Sequence, residues 1–194
     1  MSKGLRIRII ILQIVAVLGL AIGSFGAFYA HNFTTNQIHD MLAPEQIVFP
    51  QNAAQGLPAD LSAYAGQQVL TGDQAHAYAE HFIGLHLKEI GSGHPYSYWS
   101  GQAIAAKDAA TKAKDQGIAD TLFKGETLRA ILNEAWSFSV FGQIAYLAGF
   151  GLALAAAVVL LALGFEVEEL VRKTGRQAAA TGVAPARRDA VSAR

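Results

Sequence analysis

Hydropathy along the chain switches twice. Residues 9–30 are 22 consecutive positions without a charged side chain, and residues 135–165 are a second such run of 31. The polar segment between them holds all six histidines. About 20 apolar residues cross a hydrocarbon layer roughly 30 Å thick, so each run predicts a membrane-crossing helix. The second run exceeds what a perpendicular span needs and predicts a tilted helix, or one that starts outside the bilayer. Ser24-Phe25-Gly26 has the small-x-small form of a cleavage site, but an apolar run of this length is longer than the h-region of a signal peptide, and a retained span is expected. The fold class that follows is a mainly α membrane protein. Two transmembrane helices flank a small helical extracytoplasmic domain with one or two short strands. Its parts are residues 1–8 (cytoplasmic), 9–30 (first span), 31–134 (extracytoplasmic domain), 135–165 (helix with the second span) and 166–194 (cytoplasmic tail).

The middle segment is neither repetitive nor low in complexity. Glu45-Gln46-Ile47-Val48-Phe49-Pro50 and Gln67-Gln68-Val69-Leu70-Thr71 are the β-prone runs, separated by a loop around Pro58. Thr71-Gly72-Asp73-Gln74 has capping-box form, and Ala75, Tyr78, Ala79, Phe82 and Leu85 or His86 keep helical spacing after it. That helix should stop at Gly91. Ser100 is the expected cap of an Ala-rich helix ending near Gly117. Leu128, Ile131, Leu132 and Ala135 mark the apolar face of a last helix that runs unbroken into the second span, with Gly125 its weak point. Beyond about residue 176 the tail lacks large apolar side chains, and no fixed structure is expected.

Charge gives this layout a direction. Lys3, Arg6 and Arg8 precede the first span, and Arg172, Lys173 and Arg176 follow the second, while residues 31–50 contain no Lys or Arg. Positive residues flanking spans stay cytoplasmic, so both termini should lie inside. Tyr29 and Trp136 then fall at the same outer boundary, where amphipathic rings are favoured. The middle segment has six Lys or Arg against eleven Asp or Glu, the opposite of a nucleic-acid-binding face. Cysteine is absent, which excludes disulfides, thiolate metal sites and a cysteine nucleophile. The tail arginines are placed to meet anionic lipid headgroups.

Small residues form a stripe on each span: Ala16, Gly19, Gly23, Gly26 and Ala30 on the first, Gly142, Ala145, Gly149, Ala153 and Ala156 on the second. Such stripes let helix backbones approach closely, and association within lipid rests on packing of this kind. They predict pairing of the two spans with each other or docking onto a partner's helices.

The histidines raise the question of metal. His76, His81 and His86 are five residues apart, so successive rings differ by about 140° around a helix and cannot converge on one ion. His86 and Glu89 share a face at i, i+3, and His94 in the following turn is a third candidate ligand. A hydrogen-bonded histidine with Glu89 as its partner accounts for the same residues, and no metal or other cofactor is expected. No phosphate-binding loop, nucleophile elbow or paired zinc motif occurs, and Asn133 and Glu134 at the mouth of the second span need no special role.

Taken in order, the segments resemble a family of small two-span actinobacterial membrane proteins often carried under the label aromatic ring-opening dioxygenase. The resemblance rests on the basic start and first span, on Ile47-Val48-Phe49-Pro50, and on His86-x-x-Glu89 followed by Gly93 and Tyr96. It continues in Leu128-Arg129 leading into Phe138-Ser139-Val140-Phe141-Gly142. The chain departs from the pattern at His94-Pro95 and in an Ala-rich stretch over residues 101–124. The label implies an iron held by His and carboxylate ligands beside an enclosed aromatic pocket, for which the residues offer only His86, Glu89 and His94. In size and layout the chain is also similar to accessory subunits of actinobacterial respiratory supercomplexes. The expected function is therefore a non-enzymatic accessory or scaffolding subunit. Its partners would be membrane lipid and a membrane protein met through the spans and the outer domain; the alternative is a metal-binding enzyme or sensor.

Overall fold

The structure, a computed structural model, describes residues 3–180. It is mainly α-helical, with two long apolar helices flanking smaller ones. The helices are α1 (Lys3–Leu42), α2 (Gly72–Ala77), α3 (Gly84–Ile90), α4 (Tyr96–Ala105) and α5 (Ala109–Ala180), with a π-helical segment, Tyr78–Ile83, joining α2 to α3. They divide into two compact units, one within Met1–Gly26 and Ala148–Arg194, the other Ala27–Leu147.

In the first unit α1 and α5 run antiparallel. Arg6 donates to Glu169 at 2.9 Å, Lys173 reaches the same carboxylate at 2.5 Å, and Ser24 Oγ donates to the carbonyl of Gly149 at 2.8 Å. Both helices are long and apolar enough to cross a membrane, and only 6% of the most apolar window of either is buried within the protein. A core helix of a water-soluble protein would be covered on most sides, and these are not. Helix α5 continues to Ala180, past the point where the tail was expected to lose structure; residues 181–194 lie outside the described residues.

The second unit wraps a small core around the ends of α1 and α5. Its centre is Phe49, Val69, Ala75, Ala79, Leu122 and Leu132, all at most 2% exposed. The two β-prone runs meet at a single antiparallel bridge, Val48 with Gln68, flanked by Phe49 N–H to Gln67 O (2.9 Å) and Val69 N–H to Ile47 O (2.8 Å). Among the described residues no strand forms. Pro50 has no N–H to extend the ladder, and each run gives way at once to a turn or a helix. The bridge nonetheless aims Phe49 and Val69 inward, where Phe49 stacks on Tyr64 and meets Tyr78 edge-on, each at 5.1 Å.

The helix beginning at Gly72 has the expected start and stop. Thr71 Oγ1 accepts from Gln74 N–H, the Gln74 side chain accepts from Thr71 N–H, and α3 ends at Gly91. Ala75, Tyr78, Ala79 and Phe82 lie at the core as expected, and the face departs from the expected one only in its last turn. Ala75, Ala79, Ile83 and Leu87 are inside, while Leu85 and His86 are exposed. The π segment is the reason: a turn closed by i→i+5 bonds holds one extra residue, so side chains four apart stay in line instead of drifting round the helix.

Two further expectations are corrected. The Ala-rich region is not one helix capped by Ser100: α4 starts at Tyr96 behind Pro95 and ends at Ala105, and α5 starts afresh behind Asp108, whose carboxylate accepts from Thr111 N–H at 2.8 Å. Asp108 offers the backbone a cap that competes with a continuous helix. Gly125 is not a weak point but a place of contact. A Cβ there would run into the Leu87 side chain, so glycine leaves the room in which Leu87 of α3 lies against α5. The buried side of α5 is a line spaced by threes and a four through Ala119, Leu122, the half-buried Gly125 and Arg129, and Leu132, and Leu128 and Ile131, expected inside, are exposed.

Candidate functional site: a polar clamp and an open groove

The most connected polar group in the second unit ties the helix from Gly72 to α5. Glu80, on the π segment, receives Arg129 Nη2 on one carboxylate oxygen and Asn133 Nδ2 on the other, both at 2.6 Å. Arg129 also donates to Glu126 (2.9 Å) and through Nε to the carbonyl of Ala79 (3.2 Å). Because a carboxylate can only accept, Asn133 must turn its NH2 to Glu80, which leaves its oxygen for His76 Nδ1 at 2.9 Å. The proton of His76 is thereby placed on Nδ1, and the ring stacks on Trp136 at 4.1 Å and 17°. The Asn133 hydrogen bond first, and then Arg129, hold the Glu80 carboxyl below the usual glutamate range. Burial pushes the neighbouring Tyr78 phenol up. Each member of the group has a partner, with Arg129 answering both Glu80 and Glu126, so its chemistry is that of a structural clamp.

The histidines are dispersed. His81 pairs with Asp60, His86 Nδ1 donates to the carbonyl of Phe82 in its own helix at 2.7 Å, and His94 stacks on Tyr98 at 3.9 Å. His86, Glu89 and His94 are not gathered, and among the described residues no three His, Cys, Asp or Glu side chains are placed to hold a metal ion.

The small-residue stripes divide between contact and open space. On α5, Gly142 and Gly149 are buried, and their carbonyls accept from His31 Nδ1 (3.0 Å) and Ser24 Oγ (2.8 Å). A Cβ on Gly142 would fall 2.3 Å from Thr34 Oγ1, so the bare backbone is what admits α1 there. Gly23 packs on Leu152 of α5, whereas Gly19 and Gly26 have nothing within contact distance. Ala16, Ala30, Ala145 and Ala156 are half-buried, and Ala153 is exposed. Ser24 and His31 are the polar ties that the sequence pattern concealed. Their seven-residue spacing, matched by the spacing of Gly142 and Gly149, is the signal that could have found them.

On the face of α5 turned away from the clamp lies an open apolar groove of about 360 Å³, between α1 and α5 within the second unit. Phe33, Gln37 and Met41 form one wall and Ile131, Glu134 and Phe138 the other, over a floor of Thr34, Ile38 and Ala135. Phe33, Met41, Ile131 and Phe138 are each more than half exposed. Trp136 stacks on His76, while Tyr29 stacks on Phe33 and stays largely exposed.

Comparison with protein-family models finds no match. Neither the curated proteins nor the solved structures yield one.

Proposed function

We propose that the chain is a two-span plasma-membrane protein that serves as a non-enzymatic accessory or scaffolding subunit of a larger membrane complex. Both termini face the cytoplasm and residues 31–134 lie outside. The observation that carries this reading is the near-complete exposure of the apolar windows of α1 and α5, which need lipid or protein around them. Charge placement supports the orientation: Arg6, Arg172 and Lys173 gather at one end of the paired helices, and Arg6 and Lys173 share Glu169. A satisfied clamp in place of a reactive constellation fits a protein that holds shape. The layout resemblance to accessory subunits of respiratory supercomplexes makes such an assembly the first to examine. Extraction in mild detergent, followed by identification of what co-purifies in fixed ratio, tests the role. A stable stoichiometric partner is the expected result, and a chain that always migrates alone overturns it.

A further inference from the structure

We infer that the groove lined by Phe33, Gln37, Met41, Ile131, Glu134 and Phe138 seats about two turns of a helix from another membrane protein, carrying a Lys or Arg opposite Glu134. This rests on the accessory-subunit reading and names the surface it uses. The geometry comes first. Phe33, Gln37 and Met41 recur every four residues, so the α1 wall rises about 12 Å along the helix, and a third helix fits between two helical ridges of that length.

Position and charge then select the occupant. Phe33 stands three residues beyond the uncharged run 9–30, and the His31–Gly142 contact sets the first residues of the longer run 135–165, Phe138 among them, at that same level, on the outer side of the proposed bilayer, where an acyl chain would have to leave the hydrocarbon layer to enter. A spanning helix that continues past the bilayer enters naturally, as α1 itself continues to Leu42. Glu134 stands in the wall with no hydrogen bond or ion pair to its side chain among the described residues, and the exposed Asp40 carboxylate lies beside Gln37 in an adjoining hollow. A lipid phosphate would be repelled there. A second copy of this chain seated face to face about a two-fold axis would set Glu134 and Asp40 against their own kind. Arg129, the nearest cation on α5, is already committed to Glu80 and Glu126. A basic residue from a different chain completes the site.

The test places a photo-crosslinking residue at Met41, and separately at Gln102 on α4, in the full-length chain in its own membrane. Cross-linked peptides are identified by mass spectrometry. The expected result is capture from position 41, and not from 102, of the outer end of a spanning helix that carries Lys or Arg. Glu134→Lys should lower the recovery of that protein about tenfold or more, since like charges facing across an interface are strongly unfavourable, while Glu134→Gln lowers it less. Unchanged helical circular dichroism and expression of both variants exclude misfolding as the cause. Capture of lipid alone, capture of a second copy, or undiminished recovery with Glu134→Lys overturns the groove assignment. If a partner co-purifies in those cases, the accessory role stands without this surface; if none co-purifies from the unmodified chain, the role itself falls.

Discussion

Glu80 carries more of the second unit than its place in the sequence suggests. It stands among exposed-looking positions of an amphipathic helix, yet it binds Arg129 and Asn133 from a segment about fifty residues further on. Its carboxyl is held below the usual glutamate range, so the ionised form is favoured in the folded state. Such a group stabilises the fold above its unfolded pKa, and that stability is lost as pH falls through the folded pKa. Thermal unfolding of the purified protein should therefore drop as the pH passes below the ordinary glutamate range. In Glu80→Gln the drop should be shallower, with a cost of about 1–3 kcal/mol at neutral pH because Arg129 keeps only Glu126 of its two carboxylate partners. Equal pH profiles for the two proteins would remove Glu80 from this role. The clamp was hidden in the sequence because its members are neighbours only after folding. In the sequence Asn133 stands at the mouth of a span, where a polar residue needs no special role, and Arg129 is no more than part of a short motif.

At the scale of elements, legibility followed locality. The capping box at Thr71, the stop at Gly91 and the unbroken run of α5 into the second apolar stretch are set by residues within a turn of each other, and they were foreseen. The last turn of the helix from Gly72, where Ile83 and Leu87 are buried in place of Leu85 or His86, was not, because a π turn shifts the phase and no local residue announces it. The small-residue stripes were legible as a pattern. Which members make contact depended on where Thr34, His31 and Ser24 arrive from α1. Gly125 shows the same limit, since propensity marks it as a defect until Leu87 is seen lying over it. Gly125→Val should destabilise the second unit by about 1–3 kcal/mol through overpacking, despite valine's higher helix propensity, as read from the unfolding midpoint. A variant as stable as the parent would show that α3 and α5 are not in such close contact.

For the molecule as a whole, the mainly helical architecture and the two long apolar helices were plain from hydropathy alone. The placement of the ends relative to a membrane is the part of the proposal that charge carries. The absence of cysteine makes it direct to check. Gln102→Cys should react with a membrane-impermeant maleimide in intact cells, and Thr174→Cys only after permeabilisation. The reverse pattern would invert the orientation and with it the outward position of the groove.

The line of inward-facing side chains on α5 runs from Ala119 through Leu122, Arg129 and Leu132 to Gly142 without a break in the helix. Along such a line facing is set by counting residues, so a single deletion between Leu122 and Leu132 would turn everything after it by about 100°. Gly142 would leave His31, and Glu134 and Phe138 would swing out of the groove, while Leu122 stayed where it is. The gene can therefore drift here by substitution but not by length. Insertions and deletions that keep the protein working should be confined to the turns around residues 51–58, 91–95 and 106–108.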